Sequence, residues 1–190
     1  MKTKIKKGDF GYRDAHKKKQ LFIVLLFIAA IIAQLIARFF ITWDSLRNLV
    51  TISAILTVLP MANLASPLVA SWRIPETKKE LYDRCRPYEE KFPVLYDLII
   101  TSNDLILQAD VAVIHPSGVY LYSPNKHTDS KKAEKFLNEM LGSWKLDENA
   151  RVMVEEKNFL NRLASLKPVT EEEDDGSAPH VEKLLKSLSM

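Results

Sequence analysis

The sequence predicts a membrane α-helical hairpin followed by a small α/β (α+β) cytoplasmic domain, and three observations lead there. Two runs without a charged residue, 21–37 and 49–72, fill most of the first third of the 190 residues. Lys and Arg crowd the chain on either side of this region and thin out between the runs. Beyond residue 72 the apolar pattern alternates between helical spacing and the period-two grammar of strands.

A hydrocarbon core about 30 Å thick needs roughly 20 residues of helix at about 1.5 Å each. The second run meets that length, whereas the first reaches it by adding Phe39, Phe40 and Ile41 beyond Arg38. Its apolar stretch exceeds the roughly 7–15 residues of a secretory signal, and Ala37-Arg38-Phe39-Phe40 is a poor cleavage site, so an uncleaved anchor is expected. Residues 1–20 hold eight Lys and Arg, the loop 38–48 holds only Arg38 and Arg47, and Arg73, Lys78, Lys79, Arg84 and Arg86 follow the second run. That bias puts both termini in the cytoplasm of a multi-pass cell-membrane protein. With Asp9 and Asp14 counted, the leading segment carries +6, a charge that fixes topology and suits anionic lipid headgroups. The lipid bilayer is therefore the first expected partner.

Within the spans, Gln34 and Thr57 fall at a similar depth, about 20 Å from the cytoplasmic side, and are placed to hydrogen-bond. Asn63 lies roughly 10 Å nearer the cytoplasm. Pro60 and Pro67 bracket it and are expected to kink the helix. Ala62, Ala65, Ser66 and Ala70 give a small-residue face suited to helix packing or to a homo-oligomer. The spans contain no carboxylate or lysine, which argues against an ion or proton pathway.

Four parts follow: a basic cytoplasmic tail (1–20), a transmembrane hairpin (21–72), a cytoplasmic α/β domain (73–167), and an acidic linker with a short amphipathic helix (168–190). In the domain, Pro75 and Glu76 open a helix carrying Leu81, Tyr82, Cys85 and Tyr88, which Pro87 ends or bends. Residues 94–100 read as strand, with a continued helix as the alternative; 105–114 and 119–122 supply two more strands across turns at 101–104 and 115–118. Asp129 caps a helix whose Ala133, Phe136, Leu137, Met140, Leu141 and Trp144 form one stripe. A fourth strand at 150–154 leads to a helix bearing Phe159, Leu160, Leu163 and Leu166. Pro168 introduces the acidic run 171–175, and Val181, Leu184, Leu185 and Leu188 share one face of a last helix that could dock on the domain, the membrane or a partner.

This order of helix, three strands, helix, strand, helix resembles restriction-endonuclease-like domains. The segment from Asp110 through Gly118 to Tyr122 is similar to the centre of their nuclease-related branch, in which a strand opening on Asp runs to a Gly and the next strand ends in E-x-K. The resemblance implies a divalent metal held by two carboxylates, with a lysine that positions or activates water. Asp110 matches the first carboxylate. Ser123 stands where the second is expected and Asn125 where the lysine is expected, while Lys126 comes one residue late, which on a strand turns it to the other face. A serine hydroxyl does not replace a carboxylate for Mg²⁺, so the resemblance points to a degenerate site without nuclease activity. The overall plan also resembles uncharacterised bacterial two-span membrane families with a basic start and a compact cytoplasmic domain.

Other activities find no support in the residues. Five glycines make no phosphate-cradling loop, and neither H-E-x-x-H nor a nucleophile elbow occurs. A lone Cys85 and scattered His16, His115, His127 and His180 offer no structural zinc set. Residues 73–190 contain 17 Lys and Arg against 21 Asp and Glu, which is not the footprint of a nucleic-acid binder. No cofactor is expected. The leading expectation is a non-enzymatic, membrane-anchored interaction or scaffold protein with an unknown protein partner. Its rivals are a membrane-tethered metal-dependent nuclease with a relocated site and an accessory subunit of a membrane complex.

Overall fold

A computed structural model describes residues 5–102, 105–168 and 176–190. Lys2, Lys4, Asn103, Asp104 and the acidic run 171–175 lie outside the described residues. The chain forms two compact units, Asp14–Pro75 and the segment up to Arg13 together with Glu76–Met190.

The first unit contains two long apolar helices, α1 (Tyr12–Phe40) and α2 (Asp44–Trp72). Each is long and apolar enough to cross a membrane. Helix α1 begins at Tyr12, so residues 12–20 of the basic leading segment are helical and continuous with the first apolar run. Pro60 and Pro67 lie inside α2, which continues through both. Gln34 Nε2 donates to Ser53 Oγ at 3.2 Å and to Thr57 Oγ1 at 3.4 Å, and Asn63 is exposed.

The second unit is an α+β fold in three layers. Strands β1 (Val94–Ser102), β2 (Leu105–His115) and β3 (Gly118–Tyr122) form an antiparallel meander, and β4 (Ala150–Met153) joins β3 in parallel. The parallel step requires a crossover, which α4 (Ser130–Ser143) provides. Asp129 caps α4 by accepting the Lys132 amide. Its Ala133, Leu137 and Leu141 pack on one face of the sheet beside Val181, Leu184 and Leu185 of α6 (Ala178–Leu188). The last helix thus docks on the domain. Trp144 departs from the expected stripe: α4 ends one residue earlier, and the indole is 43% exposed.

The opposite face is covered by α3 (Lys79–Cys85), a 3₁₀ turn at Arg86–Tyr88, and α5 (Glu156–Ser165). Leu81, Cys85, Phe92, Tyr96, Phe159 and Leu163 are buried there against Val111, Val113, Tyr120 and Tyr122. Helix α3 starts later than Pro75-Glu76 suggests because Thr77 is drawn away, donating from both backbone and hydroxyl to Asp97. Residues 94–100 are strand throughout.

Both outer edges of the sheet are covered, as exposed edges invite unwanted pairing. Along β4, the outward amides of Ala150 and Val152 donate to Asn138 Oδ1 at 2.7 Å and Glu134 Oε1 at 2.9 Å, both from α4. Along β1, the Tyr96 amide donates to Gly8 O at 2.7 Å, and the Ile99 amide to Ser189 Oγ at 3.2 Å, while Met190 returns its amide to Ile99 O at 3.0 Å. Segments from the two ends of the chain therefore flank the same strand.

Candidate functional site: a buried carboxylate pair

Regular strands send alternate side chains to opposite faces. In β1 the α4/α6 face takes Leu95, then Leu98 and Ile100; in β2 it takes Leu107 and Ala109, then Ala112 and Ile114. Each strand thus shifts phase by one residue. The shifts fall at opposed positions, since Tyr96 pairs with Val111 and Leu98 with Ala109, leaving Asp97 and Asp110 facing each other between those pairs. Asp97 takes φ +57, a left-handed conformation that Asp tolerates better than most residues. Two carboxylates are thereby set side by side inside the sheet, each 3% exposed.

Such a pair needs a cation and donors. Arg13, also 3% exposed, supplies the charge: its Nη1 donates to Asp110 Oδ1 at 3.1 Å and its Nε lies 3.8 Å from Asp97 Oδ1. The same guanidinium donates through Nη2 to Leu98 O at 3.3 Å. Gln108 Nε2 gives Asp110 Oδ1 a second bond at 2.9 Å. Asp97 accepts from the Gly11 amide at 2.7 Å and from the Thr77 hydroxyl at 2.7 Å. Burial pushes the Asp110 carboxyl above the ordinary carboxylate range, against the opposing pull of Gln108 and Arg13.

The segment leading into α1 makes further contacts within this unit. Phe10 stacks on Tyr82 with ring centroids 4.3 Å apart and meets Tyr96 edge-on. Lys7 Nζ donates to Ser189 O at 2.6 Å and Lys186 O at 3.1 Å, placing a cation at the carbonyl end of α6. Gly8 has φ +97, and a Cβ there would come within 2.9 Å of Leu95 and Lys186 side chains. Lys7 and Arg13, read from the sequence as lipid-facing charge, are both engaged with this unit.

The positions singled out by the nuclease-like motif are distributed among separate interactions. Ser123 follows the last β2–β3 pair, Val111 with Tyr122, and so comes at the register position opposite Asp110 on the neighbouring strand. It is fully buried, its amide donates to Met153 O at 2.8 Å, and its hydroxyl shares a 3.2 Å bond with Thr128. Asn125 Oδ1 accepts the His127 amide at 3.0 Å, and Lys126 is exposed. Gly118 adopts φ +138, and a Cβ there would collide with the Asn149 carbonyl, so its role is the close approach of the turn to the start of β4. Among the described residues, no group of three His, Cys, Asp or Glu is placed to hold a metal ion.

Sequence reasoning missed Arg13, Thr77 and Asp97. Asp97 carries a readable signal, a lone acid within the apolar run 94–100. Arg13 carries none, being one of eight basic residues in the first twenty. Comparison with known proteins finds no match to a family model, a curated protein or a solved structure.

Proposed function

We propose that this chain is a non-enzymatic, membrane-anchored interaction module: α1 and α2 cross the bilayer, both termini face the cytoplasm, and the α+β unit is presented at the membrane surface. The observation that supports it is the Arg13 guanidinium between Asp97 and Asp110. In the nuclease reading Asp110 is a metal ligand; here a side-chain cation is bonded to that carboxylate, and Ser123 and Asn125 supply neither a second carboxylate nor a lysine. The pair instead receives the Gly11 amide from just ahead of α1, Arg13 from the first turn of α1, and Thr77 from the segment between α2 and α3. The cluster thus ties three separate segments of the α+β unit together at one buried point, and the Asp110 carboxylate is engaged there rather than open to a metal.

Calorimetric titration of the full chain in maltoside micelles with Mn²⁺ tests the non-enzymatic part. No tight binding is expected. Micromolar binding lost in Asp110→Ala would overturn the reading and favour a metal-dependent enzyme. For the anchor, the chain should resist alkaline extraction from membranes, and the α+β unit should survive protease added outside intact cells; digestion there would reverse the topology.

A further inference from the structure

Between the leading segment and β1 the α+β unit holds a groove of about 320 Å³ lined by Asp9, Phe10, Tyr82, Glu89 and Tyr96, with Gly8 and Val94 completing the wall. That volume falls at the small end of ligand sites, about 300–1,000 Å³. Two kinds of side chain dominate it, aromatic rings and carboxylates. Phe10 stacks on Tyr82, and Tyr82 meets Tyr96 with centroids 5.1 Å apart. The Tyr96 hydroxyl donates to Glu89 Oε1 at 2.7 Å and orients that carboxylate. Burial and the neighbouring Glu89 both push the Tyr96 phenol upward, which keeps it protonated as the donor. Asp9 Oδ2 accepts the Lys6 amide at 2.7 Å. Among the described residues, the remaining oxygen of Glu89 and that of Asp9 accept no hydrogen bond.

No lining residue is Lys, Arg or His. Nearby cations are committed elsewhere: Lys7 to the carbonyls at the end of α6, Lys186, which packs beside Gly8, to Glu182, and Lys91 over the Tyr88 ring at 5.5 Å. Two carboxylates, an aromatic lining and the absence of a lining cation make the groove complementary to a small organic cation, with the carboxylates carrying the attraction. We propose that this groove binds an alkylammonium group, with Glu89 as its principal charge partner and Phe10, Tyr82 and Tyr96 as its aromatic wall. The proposal needs the leading segment docked, as Phe10 and Asp9 come from it, and does not depend on the absence of catalysis or on membrane insertion.

The test uses the full chain in maltoside micelles, titrated with tetramethylammonium chloride and followed by the amide signals of Phe10, Tyr82 and Tyr96. Saturable shifts are expected, with sodium chloride at matched concentration and the neutral isostere tert-butanol giving none. Glu89→Gln preserves an acceptor for the Tyr96 hydroxyl but removes the charge, and should weaken binding about tenfold. Because occupancy stabilises the docked leading segment, saturation should also slow tryptic cleavage at Lys6 and Lys7. Absence of saturation, an equal response to sodium, undiminished affinity in Glu89→Gln, or saturable shifts with unchanged cleavage would each overturn the proposal.

Discussion

Three side chains from distant parts of the sequence, Arg13, Asp97 and Asp110, form a buried charge cluster within the α+β unit. Their burial makes each dependent on the others, because a charge kept from water is tolerated only while its partner is present. Arg13→Met therefore should cost about 3–5 kcal/mol, the range for removing one member of a buried pair, read as a shift in denaturant midpoint of the α+β unit. Combining it with Asp97→Asn and Asp110→Asn should recover part of that loss, since the uncompensated carboxylates disappear. A surface arginine such as Arg84, whose side chain is 60% exposed beside Glu156, should tolerate the same change with little effect. The lone Cys85 belongs to this scale as well. It is fully buried, and burial, with Glu156 adding, pushes its thiol up to about 12, consistent with a packing role rather than a reactive one.

Among the elements, β4 shows how a short strand is kept from pairing further. Glu134 and Asn138 lie on α4 four residues apart, hence on one face, and meet amides two residues apart on β4. The Glu134→Ala, Asn138→Ala double variant should lose about 1–3 kcal/mol in all and should raise amide exchange at Ala150 and Val152 ahead of the rest of the sheet. Much at this scale was legible beforehand. Apolar alternation located β1 to β4, the 3-4 spacing located α4 and α5, and Asp129 marked a helix start. What escaped has particular causes. Tertiary hydrogen bonds to Asp97 hold Thr77 out of the helix that Pro75 and Glu76 announce, and local turns at Trp144 override the stripe. At the candidate site the motif identified Asp110 but not its partners: a phase shift in two paired strands is a property of the pair, and Arg13 lies 97 positions before Asp110 in the sequence.

For the whole molecule, the residues ahead of α1 and the first two of α1, Tyr12 and Arg13, belong structurally with the α+β unit. Lys7, Gly8, Phe10, Gly11 and Arg13 are spread over contacts with α6, β1, Tyr82, Asp97 and Asp110, so docking of this segment is shared among many modest interactions. Lys7→Ala isolates one of them. Loss of a partly buried cation from a helix C-terminus is worth about 0.3–2 kcal/mol, and the variant should raise amide exchange in the last turn of α6 while leaving β2 and β3 unchanged. The reach of these contacts bears on biogenesis. Lys7 bonds to a carbonyl 179 positions later, so the opening residues emerge from the ribosome long before their binding surface exists. Until α6 has been made, the contacts of Lys7 with its last carbonyls have no partner to form with. Closure of the α+β unit is then a late, long-range step, slower than formation of its local hairpins.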